Sequence, residues 1–223
     1  MSRKETSSDG TRALHGLNAI FAIVVCCVAF VDEHAAIRLT ALVGVVWLAA
    51  LLVIPRLNPV QWFAHWRYLI DAVNKNRKYL GLWAAAWLTA HGGLAVWIYF
   101  ESPAGLFAEI DRRPIIALEL ASLGILLLLA LLSNKWSIQH IRHWKHIQLA
   151  VWAIPAMALV SSFVAAQDFL GQPPLLFIAT ILLSLCIVAG MTALFSKQKQ
   201  SSDWLRLGFV TAGAVAALAV LLL

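Results

Sequence analysis

Apolar residues in this chain come in long unbroken runs, unlike the short alternations of strands or the narrow stripes of water-soluble helices. Seven runs stand out, at about Leu14–Val31, Ile37–Ile54, Leu80–Phe100, Pro114–Leu132, Ile147–Ala166, Leu175–Phe195 and Leu205–Leu223. Each is close to the roughly 20 residues that a hydrocarbon core of about 30 Å requires at a rise of about 1.5 Å per residue. The pattern predicts an all-α integral membrane helical bundle with about seven transmembrane helices. The first run follows a polar, mildly basic tail, lacks a small-residue cleavage pattern and leads straight into another run, so it reads as a helix and not as a removed signal peptide.

The segment Val60–Asn74 is too short and too polar to span, yet it sets Trp62, Trp66, Leu69, Ile70 and Val73 at helical spacing. It predicts a helix lying in the membrane surface and anchored by its tryptophans, with a partner-docking loop as the alternative. The expected organisation is a tail over 1–13, a bundle over 14–195 that includes this surface helix at about 60–74, and a linker with a further helix over 196–223.

Composition strengthens this picture. Of 223 residues, 61% are hydrophobic and 13% charged, against about half and about a quarter in soluble domains. No water-soluble fold of this size hides so much apolar surface, so the lipid bilayer is the expected environment. The net charge of +6 sits in loops between apolar runs and forms no basic domain, which argues against a nucleic-acid partner.

The charge distribution predicts orientation. Arg3, Lys4 and Arg12, then Arg56, Arg67, Lys75, Arg77 and Lys78, then Lys135, Arg142 and Lys145, then Lys197, Lys199 and Arg206 all fall on one side of the predicted topology. The other side holds Arg38, Arg112 and Arg113 beside Asp32, Glu33, Glu101, Glu109, Asp111 and Asp168. The positive-inside rule places the N-terminus in the cytoplasm and the C-terminus outside.

Ionisable residues inside apolar spans are the candidates for chemistry, because they are costly there. His91 lies about 18 Å into the third run, near mid-bilayer. One imidazole nitrogen there suits haem iron while a neighbouring helix holds the other; the alternative is a packed histidine bonded to a backbone carbonyl or to Thr89. Glu119 lies about 8 Å from the outer surface, where its carboxylate either reaches headgroups and Arg112 or Arg113, or is buried facing the third span. Cys26, Cys27 and Cys186 lie inside apolar runs without CxxC spacing and are expected to be small buried hydrophobes. His140, His143 and His146 recur every three residues before the fifth run, a spacing that suits headgroups, structure, a metal or haem. His15 and His34 are expected to be structural.

Three segments in order carry a resemblance: RKYLGLWAAAWLTAHGGLAVW from Arg77 to Trp97, RRPIIALELASLGILLLLALLSN from Arg112 to Asn134, and HWKHIQLAVWAIPAMALVSSF from His143 to Phe163. Together they resemble the ferric-reductase-like transmembrane family, most closely its MsrQ/YedZ branch of haem b proteins. The resemblance implies a bacterial inner or equivalent energy-transducing membrane, and haem held between histidines of the third and fifth spans. His91 stands at the third-span ligand position. The two fifth-span positions carry Gln148 and Ser161, neither a normal axial ligand, with His146 as a candidate substitute. Haem b is therefore expected to be absent or below one per chain.

The last run is an addition to the six-helix pattern, and Gly208, Thr211, Ala212, Gly213, Ala216 and Ala217 give it a small-residue face. That face is expected to dock other membrane subunits, with packing on its own bundle as the alternative. The leading functional expectation is a haem-poor or haem-free ancillary or assembly subunit of a larger membrane complex. The alternatives are a haem b electron-transfer subunit and, third, a small-molecule transporter or sensor.

Overall fold

The computed structural model describes residues 5–56, 67–110, 112–168, 173–191 and 201–222. Among them the chain is helical throughout, without a strand: α1 (Glu5–Ala29), α2 (Glu33–Val53), α3 (Arg67–Phe100), α4 (Pro103–Glu109), α5 (Ile115–Leu132), α6 (Lys135–His140), α7 (Trp144–Ile147), α8 (Ile154–Asp168), α9 (Pro173–Met191) and α10 (Ser201–Leu222). The backbone divides into two compact units, 1–98 and 99–223.

Among the described residues, three stretches are long and apolar enough to cross a membrane: Gly10–Ala29, Glu33–Arg56 and Ile115–Leu132. They coincide with the first, second and fourth expected runs. The third run lies within α3, where Trp, Tyr, Thr and His dilute the aliphatic side chains. In the fifth and sixth, the apolar helical stretches among the fully described residues are Gln148–Ser161 and Thr180–Met191. Much of the outward surface of these helices is apolar. On α1, Ile20 and Ile23 are 59% and 63% exposed, a surface that fits contact with lipid.

In the first unit, contacts set the helix directions. Thr11 meets Asn76, His15 meets Trp83 and Asn18 meets Trp87, so α1 and α3 run parallel. Ile37 meets His91, Gly44 meets Leu88 and Leu51 meets Gly81, so α2 runs against α3. Asp32 starts α2 by accepting the Ala35 N–H at 3.0 Å, which satisfies one otherwise unpaired donor of the first turn. The buried side of α2 includes Ala36, Thr40, Gly44 and Ala49, and such small residues let backbones approach. At Gly44 a Cβ would stand 2.6 Å from Leu88 Cγ, so only glycine fits that crossing. Val25, Ala36 and Trp87 form the buried core, with Phe21, Val43, Trp47 and Trp83 packed around it.

The segment 60–74, expected as a surface helix, is described only from residue 67 on. Residues 60–66 lie outside the described residues, and 67–74 are the first turns of α3. No proline or glycine stands between Asn74 and Leu80, and Asn76 donates to the Ala72 carbonyl at 3.0 Å. Nothing there breaks the helix, so the segment runs straight into the third apolar run.

In the second unit, α8 packs against α5, α9 and α10. The fifth run is not one uniform helix: α7 gives way to a 3-10 segment, Gln148–Ala153, before α8 begins. Pro155 supplies the reason, since it has no N–H to donate to the Val151 carbonyl. That carbonyl instead accepts the Ile154 N–H in the tighter 3-10 pattern. Leu118, Ala153 and Met157 form the core, joined by Ile125, Val160 and Phe209.

The last helix packs on this unit through part of its small face. A Cβ on Gly213 would fall 2.5 Å from the Ala153 carbonyl oxygen, and one on Gly190 would fall 2.8 Å from Val210 and 2.9 Å from Trp152. Beside this contact Arg206 is buried, bonded to Asp203 at 2.8 Å, with its guanidinium 5.5 Å from the Trp152 ring centroid. Gly208, Thr211, Ala212 and Val215 remain on the exposed side of α10.

The expectation for the cysteines holds at Cys186, which is buried, and is corrected at Cys26 and Cys27, which are exposed on α1. They fall on the side of α1 turned away from α2 and α3, and length of apolar run cannot distinguish the two sides.

Candidate functional site

His91 sits halfway along the apolar part of α3, and α2 holds it. Its Nδ1 lies 3.0 Å from the carbonyl oxygen of Ile37. A carbonyl only accepts, so the proton sits on Nδ1 and the Nε2 lone pair is left free. The same carbonyl accepts the hydroxyl of Thr40 at 2.7 Å. Thr89, the other partner considered for His91, donates to the Ala85 carbonyl of its own helix at 2.7 Å. An imidazole with one N–H fixed by a carbonyl and the other nitrogen bare is oriented as metal-ligating histidines are. It is equally the geometry of a histidine tying two helices together.

His91 belongs to the first unit, while Glu119, His146, Gln148 and Ser161 belong to the second. Ser161 is buried, and its hydroxyl donates to the Met157 carbonyl one turn earlier at 3.2 Å. Gln148 is exposed at the start of the 3-10 segment. His146 is exposed and stacks on His143, with ring centroids 5.7 Å apart and planes 12° from parallel. Glu119 lies on the exposed part of α5, while Arg112 and Arg113 pair with Glu109 at 3.1 and 3.8 Å. Among the described residues, no three His, Cys, Asp or Glu side chains gather as a metal ion would need.

Of the three residues expected at haem-ligand positions, His91, Gln148 and Ser161, one is an imidazole. His91 is an imidazole with one nitrogen held by a carbonyl and the other bare, as an axial ligand would be. Ser161 offers a hydroxyl already spent on its own helix, and Gln148 offers an amide, which binds iron poorly.

The best-built polar cluster joins the three helices of the first unit around Asn18, which the sequence marks only as an ordinary helix-packing residue. Asn18 is completely buried. Its side-chain oxygen accepts the indole N–H of Trp87 at 2.7 Å and that of Trp47 at 3.0 Å, and its amide donates to the Leu14 carbonyl at 2.9 Å. One turn earlier, His15 Nδ1 accepts the Trp83 indole N–H at 3.1 Å, and Tyr79 meets the His15 ring edge-on at 5.4 Å. One turn earlier again, the Thr11 hydroxyl donates to the Asn76 side-chain oxygen at 3.0 Å. A signal for this ladder was present in the sequence: Tyr79, Trp83 and Trp87 repeat every four residues on α3, and Thr11, His15 and Asn18 repeat every three to four on α1.

Comparison of the chain with protein-family models, curated proteins and solved structures finds no match. Its class therefore rests on its own architecture: an all-helical protein whose longest apolar helices are suited to the membrane.

Proposed function

We propose that this protein is a haem-poor or haem-free integral membrane protein of about seven spans, acting as an ancillary or assembly subunit of a larger membrane complex. The observation that carries this reading is how its polar side chains are used. Asn18, His15 and His91 each bond across helices, and Ser161 and Thr89 bond within their own. Polar groups of this kind serve membrane bundles as interhelical ties. The N-terminus lies in the cytoplasm and the C-terminus outside, and the exposed side of α10 is the surface offered to other subunits. A reduced-minus-oxidised optical spectrum of the purified protein tests the cofactor part of the proposal. No sharp b-type α-band at one haem per chain is expected, and such a band would overturn it.

A second reading, a haem b electron-transfer subunit resembling the ferric-reductase-like family, is favoured by one feature. The Ile37 carbonyl fixes the His91 tautomer so that Nε2 is bare. If the α-band appears and His91→Ala abolishes it, that second reading replaces the first.

A further inference from the structure

The ladder between α1 and α3 has three rungs, and the middle one differs in kind from its neighbours. The outer rung, Thr11 to Asn76, and the inner rung, Asn18 to Trp87, join groups that keep one protonation state across ordinary pH. The middle rung is the indole N–H of Trp83 on His15 Nδ1 at 3.1 Å. An indole N–H only donates, so Nδ1 must carry a lone pair and the imidazole must be neutral with its proton on Nε2. A second proton would set an N–H against an N–H and abolish the bond. Histidine is the side chain whose charge ordinarily changes between about pH 5 and 8. His15 is exposed on the surface of α1, five residues into the apolar stretch Gly10–Ala29.

We propose that His15 is a pH-sensitive latch on the N-terminal helix. Neutral His15 fastens the first turns of α1 to α3, and protonation of Nδ1 releases Trp83 and frees that part of α1. The inner rung at Asn18 sets the limit of the release, because its two indole bonds carry no titratable group. The bonded form carries no proton on Nδ1, so the latch is closed at alkaline pH and opens as pH falls. The other charged side chains along these stretches are not imidazoles. They are Arg12 one turn earlier on α1, Lys75, Arg77 and Lys78 within one turn of Tyr79 on α3, and Arg56 after α2. Asp9 lies nearly two turns before His15 on α1, Asp71 lies two turns before Tyr79 on α3, and α2 has no charged side chain from Leu39 to Val53. His15 is thus the variable element, and the latch stands whether or not the protein binds haem.

The test is indole N–H NMR of the full chain in lipid nanodiscs from about pH 8 to about pH 5, with the Trp83 signal identified by Trp83→Phe. As pH falls, the Trp83 signal should shift and exchange faster with water, and backbone amides of residues 11–15 should exchange roughly tenfold faster. The Trp87 signal should hold its position. His15→Gln, whose side-chain oxygen accepts and does not titrate, should keep the Trp83 signal constant. His15→Phe, which offers no acceptor, should show the released signal at every pH. The proposal fails if Trp83 ignores pH in the unaltered chain, or if His15→Gln responds as that chain does. It fails equally if the Trp87 indole moves together with Trp83, because that would be general unfolding.

Discussion

Replacing Asn18 by alanine should be among the most damaging single changes in the first unit, and the structure sets the size of the loss. Asn18 has no exposed surface, and its one oxygen accepts two indole N–H groups, from Trp47 on α2 and Trp87 on α3. An interhelical hydrogen bond in a membrane bundle averages about 0.6 kcal/mol and reaches about 1.7 kcal/mol, so the pair contributes about 1–3 kcal/mol. The truncation also leaves both indoles without an acceptor and opens a small void, which adds to the loss. A double-mutant cycle isolates the bond itself: Asn18→Ala, Trp87→Phe and the double variant, each unfolded in mixed micelles with increasing sodium dodecyl sulfate. The expected coupling between the two positions is about 0.5–2 kcal/mol. A coupling within error of zero would refute the claim that this contact ties α1 to α3. So would an Asn18→Ala variant as stable as the unaltered chain.

Gly213→Val should disrupt the second unit, because its Cβ would fall 2.5 Å from the Ala153 carbonyl oxygen, a backbone atom that cannot rotate away; thermal unfolding should drop sharply, whereas Gly208→Val, with nothing within 4 Å of its Cβ, should change little. Deleting α10 after Asp203 should destabilise this unit, since Phe209, Val210 and Gly213 pack on Ala153, Met157 and Trp152; a truncated chain as stable as the full one would contradict that packing. Glu101→Gly should stabilise the chain by up to about 1 kcal/mol, because Glu101 holds a left-handed backbone angle of φ 59° between α3 and α4, which glycine adopts without a Cβ penalty. Single cysteines at Lys75 and Lys197 should resist an impermeant thiol reagent in intact cells while one at Asp168 reacts; external labelling at both lysine positions would reverse the proposed topology.

The sequence by itself determined the solvent and the class of element. Long aliphatic runs such as Glu33–Val53 and Ile115–Leu132 have no partner surface large enough except lipid or one another, and in lipid the backbone must satisfy its own hydrogen bonds as helix. Glycine and proline explain some local details: Pro155 forbids a continuous α-helical ladder through the fifth run, and Gly44 permits a close crossing. Other features were decided only by tertiary structure, because they depend on which face of a helix meets which neighbour. Whole-run hydrophobicity has almost no angular information, so it could not separate Cys26 and Cys27, which are exposed, from Cys186, which is buried. Nor could it tell that Gly213 packs inward while Gly208 stays exposed on the same helix. A backbone carbonyl was one expected partner of His91, but which carbonyl was equally hidden. A backbone carbonyl has no signature in the sequence, and only the antiparallel docking of α2 on α3 brings the Ile37 oxygen to its ring. The same holds for Asn18, an unremarkable polar residue in the sequence that becomes the shared acceptor of two tryptophans once three helices converge on it.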